Sequence, residues 1–270
     1  MRLSVLDSEA GGMHGRCAMT SGGVMEGQLS RREVLLGVCL KVGVIASCVL
    51  GILQHSVDVS QGFMDSIFMA FTTQSNIWAA AICLVFLCID LVTRGRRGVP
   101  RWLTIVKMMA TTSVLLTWIV FAVLLSPTVP ISYLVSPSNV LLHNLTPMQP
   151  LLDFVLFDRE YNPPKRHALF GLIIPLAYMV FFFAVYELSG RLPVPYFFLD
   201  YRTLGWLSIG ANGIGVVYWV LILVGVVLGM GVGMLELKER CQTELLRCAV
   251  MVVAGMVGLS VVFGIVGVAL

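Results

Sequence analysis

Charge is what this sequence has least of. Aspartate, glutamate, lysine and arginine supply 12% of its 270 residues, about half the roughly 25% of an ordinary soluble domain. A chain so poor in charge cannot clothe a solvated surface, which excludes a free-standing soluble domain. Nucleotide and metal chemistry are not provided for either: there is no G-x-x-x-x-G-K, no H-E-x-x-H and no paired C-x-x-C. No cofactor or metal is expected. The net charge of +3 forms no basic stripe, so nucleic acid is not an expected partner. Of the seven cysteines, Cys39, Cys48, Cys83 and Cys88 lie in apolar runs. Cys17, Cys241 and Cys248 lie in or beside segments assigned below to the cytosol, so no disulfide framework is expected. No repeat of 20–50 residues and no transporter-like inverted symmetry is evident. Residues 1–32 contain no apolar run; they read as a mobile cytosolic tail rather than a cleaved signal peptide.

What the chain has instead is contiguous apolar sequence. Hydrophobic residues make up 58% of it. A hydrocarbon core about 30 Å thick needs roughly 20 residues of helix per crossing. Helices are predicted near 34–53, 63–92, 102–125, 139–157, 168–190, 206–234 and 245–270. The second is too long for a straight crossing, so its first turns should lie in the outer interface or tilt. The expected fold class is all-α, a polytopic bundle of transmembrane helices. Residues 33–234 form a six-helix membrane domain, and 235–270 add a cytosolic loop and a seventh span.

Lysine and arginine orient the bundle. Arg2, Arg16, Arg31, Arg32, Arg94, Arg96, Arg97, Arg101, Arg159, Lys165, Arg166, Lys238, Arg240 and Arg247 fall on one side, and only Arg191 and Arg202 on the other. This bias predicts a multi-pass protein of the plasma (cytoplasmic) membrane with a cytosolic N-terminus and an extracytoplasmic C-terminus. Gly225, Gly229 and Gly233 make two successive G-x-x-x-G steps on the sixth helix. Such faces let helices approach closely; packing within one subunit is the first reading, a homodimer the second.

Ionisable groups inside a bilayer are costly unless paired or facing a cavity, so each marks a candidate site. Lys41, Asp90, Lys107 and Asp153 share an inner depth. Two bases and two acids there read first as an ion-paired belt that fixes helix packing, and otherwise as a proton or ion relay. An outer group contains Thr72, Thr73, Gln74, Ser75 and Asn76 on the second helix. Asn139, His143, Asn144 and Thr146 follow on the fourth, and Glu187 near the outer end of the fifth. Thr72 and His143 both lie near the outer start of their spans. A hydroxyl, an imidazole and amide donors at one level are the parts of a nucleophilic acyl-transfer site. In that reading Thr72 attacks and His143 takes its proton. Gln74, Ser75 or Asn76 stabilises the oxyanion, and Glu187 is a candidate orienting acid. Asp153 is too far below His143, about 15 Å along a straight helix, although Pro147 and Pro150 should bend the segment. Thr73 should point about 100° away from the face that Thr72 presents. Spacing alone leaves the plainer alternative open, since a membrane threonine often bonds the carbonyl one turn back.

Several stretches go beyond generic membrane sequence. Phe71-Thr72-Thr73-Gln74-Ser75-Asn76 resembles the F-T-x-Q-S-N signature of the bacterial Pr6Pr-type membrane proteins. Leu141-Leu142-His143, then Pro147 and Asp153 to Phe157, is similar to their L-L-H…P…D…F pattern. Pro175, Tyr178 and Tyr186 to Arg191 resemble their fifth helix, and Pro195 to Asp200 their P-Y-x-F-L-D loop. The similarity covers roughly residues 34–234; the tail and the seventh span depart from it. These proteins in turn look like distant relatives of the androgen-induced and androgen-dependent TFPI-regulating proteins, membrane threonine hydrolases that cleave fatty acid esters of hydroxy fatty acids. The resemblance implies a hydrolase of lipid esters with Thr72 as nucleophile and His143 as its base, and lipid esters and bilayer lipids as partners. The animal proteins lack a clear Q-S-N, which leaves room for another lipid. The alternatives from other classes are a membrane transporter or proton-coupled carrier lined by the inner charges, and a non-catalytic membrane subunit.

Overall fold

The computed structural model describes residues 30–58, 67–93, 98–189, 194, 196–210, 213–241 and 244–269. The predicted tail, apart from its last few residues, and positions 63–66 of the predicted second helix lie outside them. The main helices are α1 (Arg31–Asp58), α2 (Phe71–Thr93), α3 (Arg101–Val120), α4 (Thr146–Leu156), α5 (Ile173–Ser189), α6 (Val216–Cys241) and α7 (Leu245–Ala269). Among the described residues, six helical stretches are long and apolar enough to cross a bilayer: Arg31–Ser56, Phe71–Thr93, Arg101–Thr128, Lys165–Leu188, Val216–Cys241 and Leu245–Gly267. The chain is an all-α, multi-pass membrane protein.

The helical column containing α4, which begins at Pro137, is not among those six. Its polar residues, from Asn139 to Asp153, hold its mean hydropathy down. Yet it is the most enclosed element: nine of the eleven residues of α4 are buried. It packs against α1, α3, α6 and α7. The bundle therefore solves the cost of a polar membrane helix by ringing it with apolar ones.

Contacts sort the helix ends. At one end Arg159, just past α4, pairs with Glu33 at the start of α1 at 2.6 Å. There too Lys165 pairs with Glu236 near the end of α6, and Lys238 donates to the Tyr161 carbonyl at 3.0 Å. At the opposite end Gly267 of α7 lies against Pro127, just past α3. The columns alternate in direction, as the loop charges predict.

Element bounds depart from expectation where the backbone chemistry changes. The second helix starts at Phe71, after a turn over 67–70. The sixth starts at Val216 rather than near 206, because the intervening chain forms a hairpin pairing Ile209 with Ile214 and Gly210 with Gly213. Gly205 and Gly213 have φ of 72° and 108°, which only glycine adopts without strain. The fifth begins with a 3-10 stretch, Lys165–Leu172, before α5. Two further expectations are corrected. Cys241 and Cys248 are joined in a disulfide, with Cα atoms 5.6 Å apart; the turn between α6 and α7 returns the chain on itself, a proximity invisible in cysteine spacing. Among the described residues nothing lies within 4 Å of a Cβ added at Gly225, Gly229 or Gly233, so none of them packs against this face within the subunit. In its place Gly231 receives Ala168.

Candidate active site

α4 is preceded by a one-turn helix, Pro137–Val140, and a π-helical turn, Leu141–Leu145. The prolines explain the widened turn. Pro147 and Pro150 have no N–H to give the carbonyls of His143 and Thr146. The ladder is re-registered there, with the Thr146 N–H reaching back to the Leu141 carbonyl. α3 ends in a similar π-turn, Phe121–Leu125. These two irregular turns face each other: Phe121 stacks on the His143 ring at 4.0 Å between centroids, with the planes 25° apart.

Thr72 in the first turn of α2 lies directly opposite. Its Oγ1 is 3.4 Å from His143 Nε2, so the fold brings together two side chains that are 71 positions apart. Tyr196, from the segment between α5 and α6, completes the group. Its hydroxyl accepts the Thr72 N–H at 3.3 Å and lies 3.5 Å from Thr72 Oγ1. Burial pushes the Tyr196 phenol up from its ordinary pKa, so it stays protonated and able to donate. Tyr196 lies in the P-Y-x-F-L-D-like loop but has no role legible in the sequence, because nothing in the spacing shows that this loop folds back over α2.

The other expected helpers are otherwise engaged. Gln74 donates its amide to the Phe68 carbonyl at 3.0 Å, closing the turn before α2. Ser75 bonds the Thr72 carbonyl and the Thr117 hydroxyl, at 3.1 and 2.7 Å. Asn76 Nδ2 donates to the Thr72 carbonyl at 2.7 Å and to the Leu142 carbonyl at 3.2 Å. Both amide hydrogens are thus committed to backbone, which removes Asn76 as an oxyanion donor and makes it the tie between α2 and the π-turn. Glu187 is exposed to the surroundings of the bundle. Among the described residues no side chain bonds His143 Nδ1; stacking on Phe121 orients the ring. Asn144 and Thr146 serve packing: Asn144 accepts from Ser260 of α7 at 2.9 Å, and Thr146 bonds Ser47 of α1 at 2.8 Å.

Two hollows meet at this group. One, about 230 Å³, is lined by His143, Thr72, Thr73, His55, Asn139 and Tyr133 among others. Thr73 therefore shares the cavity with Thr72, contrary to the helical-wheel expectation, though no bond joins it to His143. The second hollow is an apolar groove that descends between α3, α5 and α6. Thr72, Phe121, Leu125 and Tyr196 border both.

The inner charges form a separate network. Lys41 lies 3.2 Å from Asp90 and 2.6 Å from Asp153. Lys107 lies 2.5 Å from Asp153 and 2.6 Å from Asp158. Their side chains are 0–5% exposed, and none borders either hollow. All four predicted members meet, and Asp158 joins them. Among the described residues no group of acidic, histidine and cysteine side chains is arranged to hold a metal ion. No protein family, curated protein or solved structure matches the chain.

Proposed function

We propose that the protein is an integral membrane hydrolase of lipid esters that uses Thr72 as nucleophile and His143 as general base and acid. The observation that carries this reading is the 3.4 Å approach of Thr72 Oγ1 to His143 Nε2 at the edge of a cavity. The resemblance of the residues around both to the Pr6Pr-type proteins points the same way.

The chemistry requires His143 to carry its proton on Nδ1, leaving Nε2 free to accept. As Oγ1 bonds to the ester carbonyl carbon, its proton passes to Nε2. The carbonyl oxygen becomes an oxyanion, and the Tyr196 hydroxyl is the donor placed to meet it. The imidazolium then protonates the alkoxy oxygen as the C–O bond breaks. Water, activated by the same nitrogen, releases the acid and restores Thr72. Among the described residues no carboxylate meets His143, and a dyad of that kind should turn over slowly beside a full triad.

Placement follows the lysine and arginine bias: the plasma (cytoplasmic) membrane, with the N-terminus cytosolic, the C-terminus extracytoplasmic and the dyad near the outer surface. A carrier reading has less to support it, since the inner charges are sealed in ion pairs and face neither hollow. The test is a fluorophosphonate probe on the purified protein. Labelling should map to Thr72 and disappear in Thr72→Ala; labelling that persists in that variant rejects the mechanism.

A further inference from the structure

We infer that the apolar groove is the subsite for the acyl chain of the ester, and that the cavity containing His143 receives its alcohol half. This rests on the threonine-hydrolase reading and adds the orientation of the substrate. The reasoning begins with the proton. His143 Nε2 takes it from Thr72 Oγ1 and must give it to the alkoxy oxygen, so that oxygen has to lie on the His143 side of the carbonyl carbon. The acyl chain leaves the same carbon in another direction. His143 borders only one of the two hollows that meet at Thr72. The remaining hollow is the groove.

Each hollow suits its assigned half. Leu116 and Val120 of α3, Leu172 and Leu176 beside and within α5, and Leu223 and Val227 of α6 wall the groove. Leu176 is 39% exposed on the outer face of the bundle, so the mouth opens toward lipid and an acyl chain reaches Thr72 without crossing water. The cavity is instead lined by Tyr133, Ser138, Asn139 and His55, a wall more polar than that of the groove and better matched to an alcohol than to an alkyl chain.

The experiment compares hydrolysis of 4-nitrophenyl palmitate and 4-nitrophenyl butyrate by wild type, Leu223→Trp, Val129→Trp and Thr72→Ala. Each methylene kept out of an apolar site lowers the rate by roughly fourfold. Leu223→Trp, which fills the groove, should therefore reduce the palmitate-to-butyrate ratio of kcat/KM by at least about tenfold. Val129→Trp, which fills the cavity, should leave that ratio within about twofold of wild type. The inverse pattern, or an unchanged ratio in Leu223→Trp, overturns the orientation while Thr72 stands. Hydrolysis of both esters by Thr72→Ala at the wild-type rate rejects the parent reading and this one with it. Should Leu223→Trp fail to reach the membrane, wild type decides. An alkyl fluorophosphonate with a terminal diazirine, once bound to Thr72 and irradiated, should crosslink to α5 or α6; crosslinks to His55, Val129 or Tyr133 place the chain in the cavity and refute the assignment.

Discussion

At the scale of single residues, the site is defined as much by what the neighbours of Thr72 do as by Thr72 itself. Thr72→Ala and His143→Ala should each abolish ester hydrolysis while the protein still accumulates in the membrane. The double variant should lose no more than either alone, because nucleophile and base act as one unit. Thr72→Ser should keep some activity, as the hydroxyl survives without the methyl that restricts its rotamer. Thr73→Ala should be far milder, since Thr73 borders the cavity but does not reach His143. A full loss in Thr73→Ala would move the nucleophile by one residue. Asn76 offers a sharper contrast. Sequence reasoning makes it a helper of the reaction, whereas its amide bonds the Thr72 and Leu142 carbonyls. Asn76→Ala should leave a buried carbonyl unpaired at about 1–3 kcal/mol, lower the melting temperature in detergent, and let the His143 turn drift. Lower thermal stability together with lost hydrolysis is expected; lost hydrolysis at full stability would restore Asn76 to the chemistry.

At the scale of elements, the two π-turns explain why only part of the site is legible in the sequence. The pairing of Thr72 with His143 can be read from depth, because both sit near the start of columns running the same way. The inner charges can be read too: Lys41, Asp90, Lys107 and Asp153 had to find one another in a medium that solvates none of them. What escapes is everything set by loop paths and turn geometry. Tyr196 arrives on an irregular segment, Phe121 is aimed by the π-turn of α3, and the cysteine pair closes across a turn. Gly51 of α1 belongs with these. An added Cβ there would come within 2.7 Å of the Leu142 side chain, so glycine is what lets α1 press against the His143 turn. For the charge network the expected outcome concerns stability. Asp153 bridges Lys41 and Lys107; Asp153→Asn breaks that bridge and leaves Lys41 to Asp90 and Lys107 to Asp158, whereas Lys107→Ala leaves buried acid charge uncompensated, at about 3–5 kcal/mol. Asp153→Asn and Lys107→Ala should express poorly or unfold at lower temperature. Stable variants that selectively lose ion-coupled uptake would establish the carrier reading instead.

At the scale of the whole molecule, a polar axis inside an apolar ring sets both orientation and accessibility. The end of the bundle that gathers Arg31, Arg101, Arg159, Lys165 and Lys238 also gathers Glu33 and Glu236, which pair with Arg159 and Lys165, and Glu160, which accepts the Val99 N–H. The opposite end is aromatic: Tyr201 stacks on Trp206 at 4.8 Å, and Arg202 lies over Tyr186 at 4.6 Å. Rings of that kind settle at a membrane–water boundary. With columns that alternate, the first and last helices have their free ends on opposite sides. A reporter fused at Met1 should therefore be cytosolic and one fused after Leu270 extracytoplasmic. The Cys241–Cys248 turn gives an independent reading of the same question. The positive-inside orientation puts it in the cytosol, where glutathione and thioredoxin keep thiols reduced. The bond that joins them in the structure would be opened by that reducing pool, so in cells lysed under denaturing conditions both cysteines should react with a maleimide without added reductant. A pair that reacts only after reduction would place this turn in an oxidising compartment, invert the bundle, and carry Thr72 and His143 to the cytosolic face. Reporters on the same side at both ends would instead mean that one column stops short, and the column containing α4, outside the six apolar stretches, is the first to re-examine.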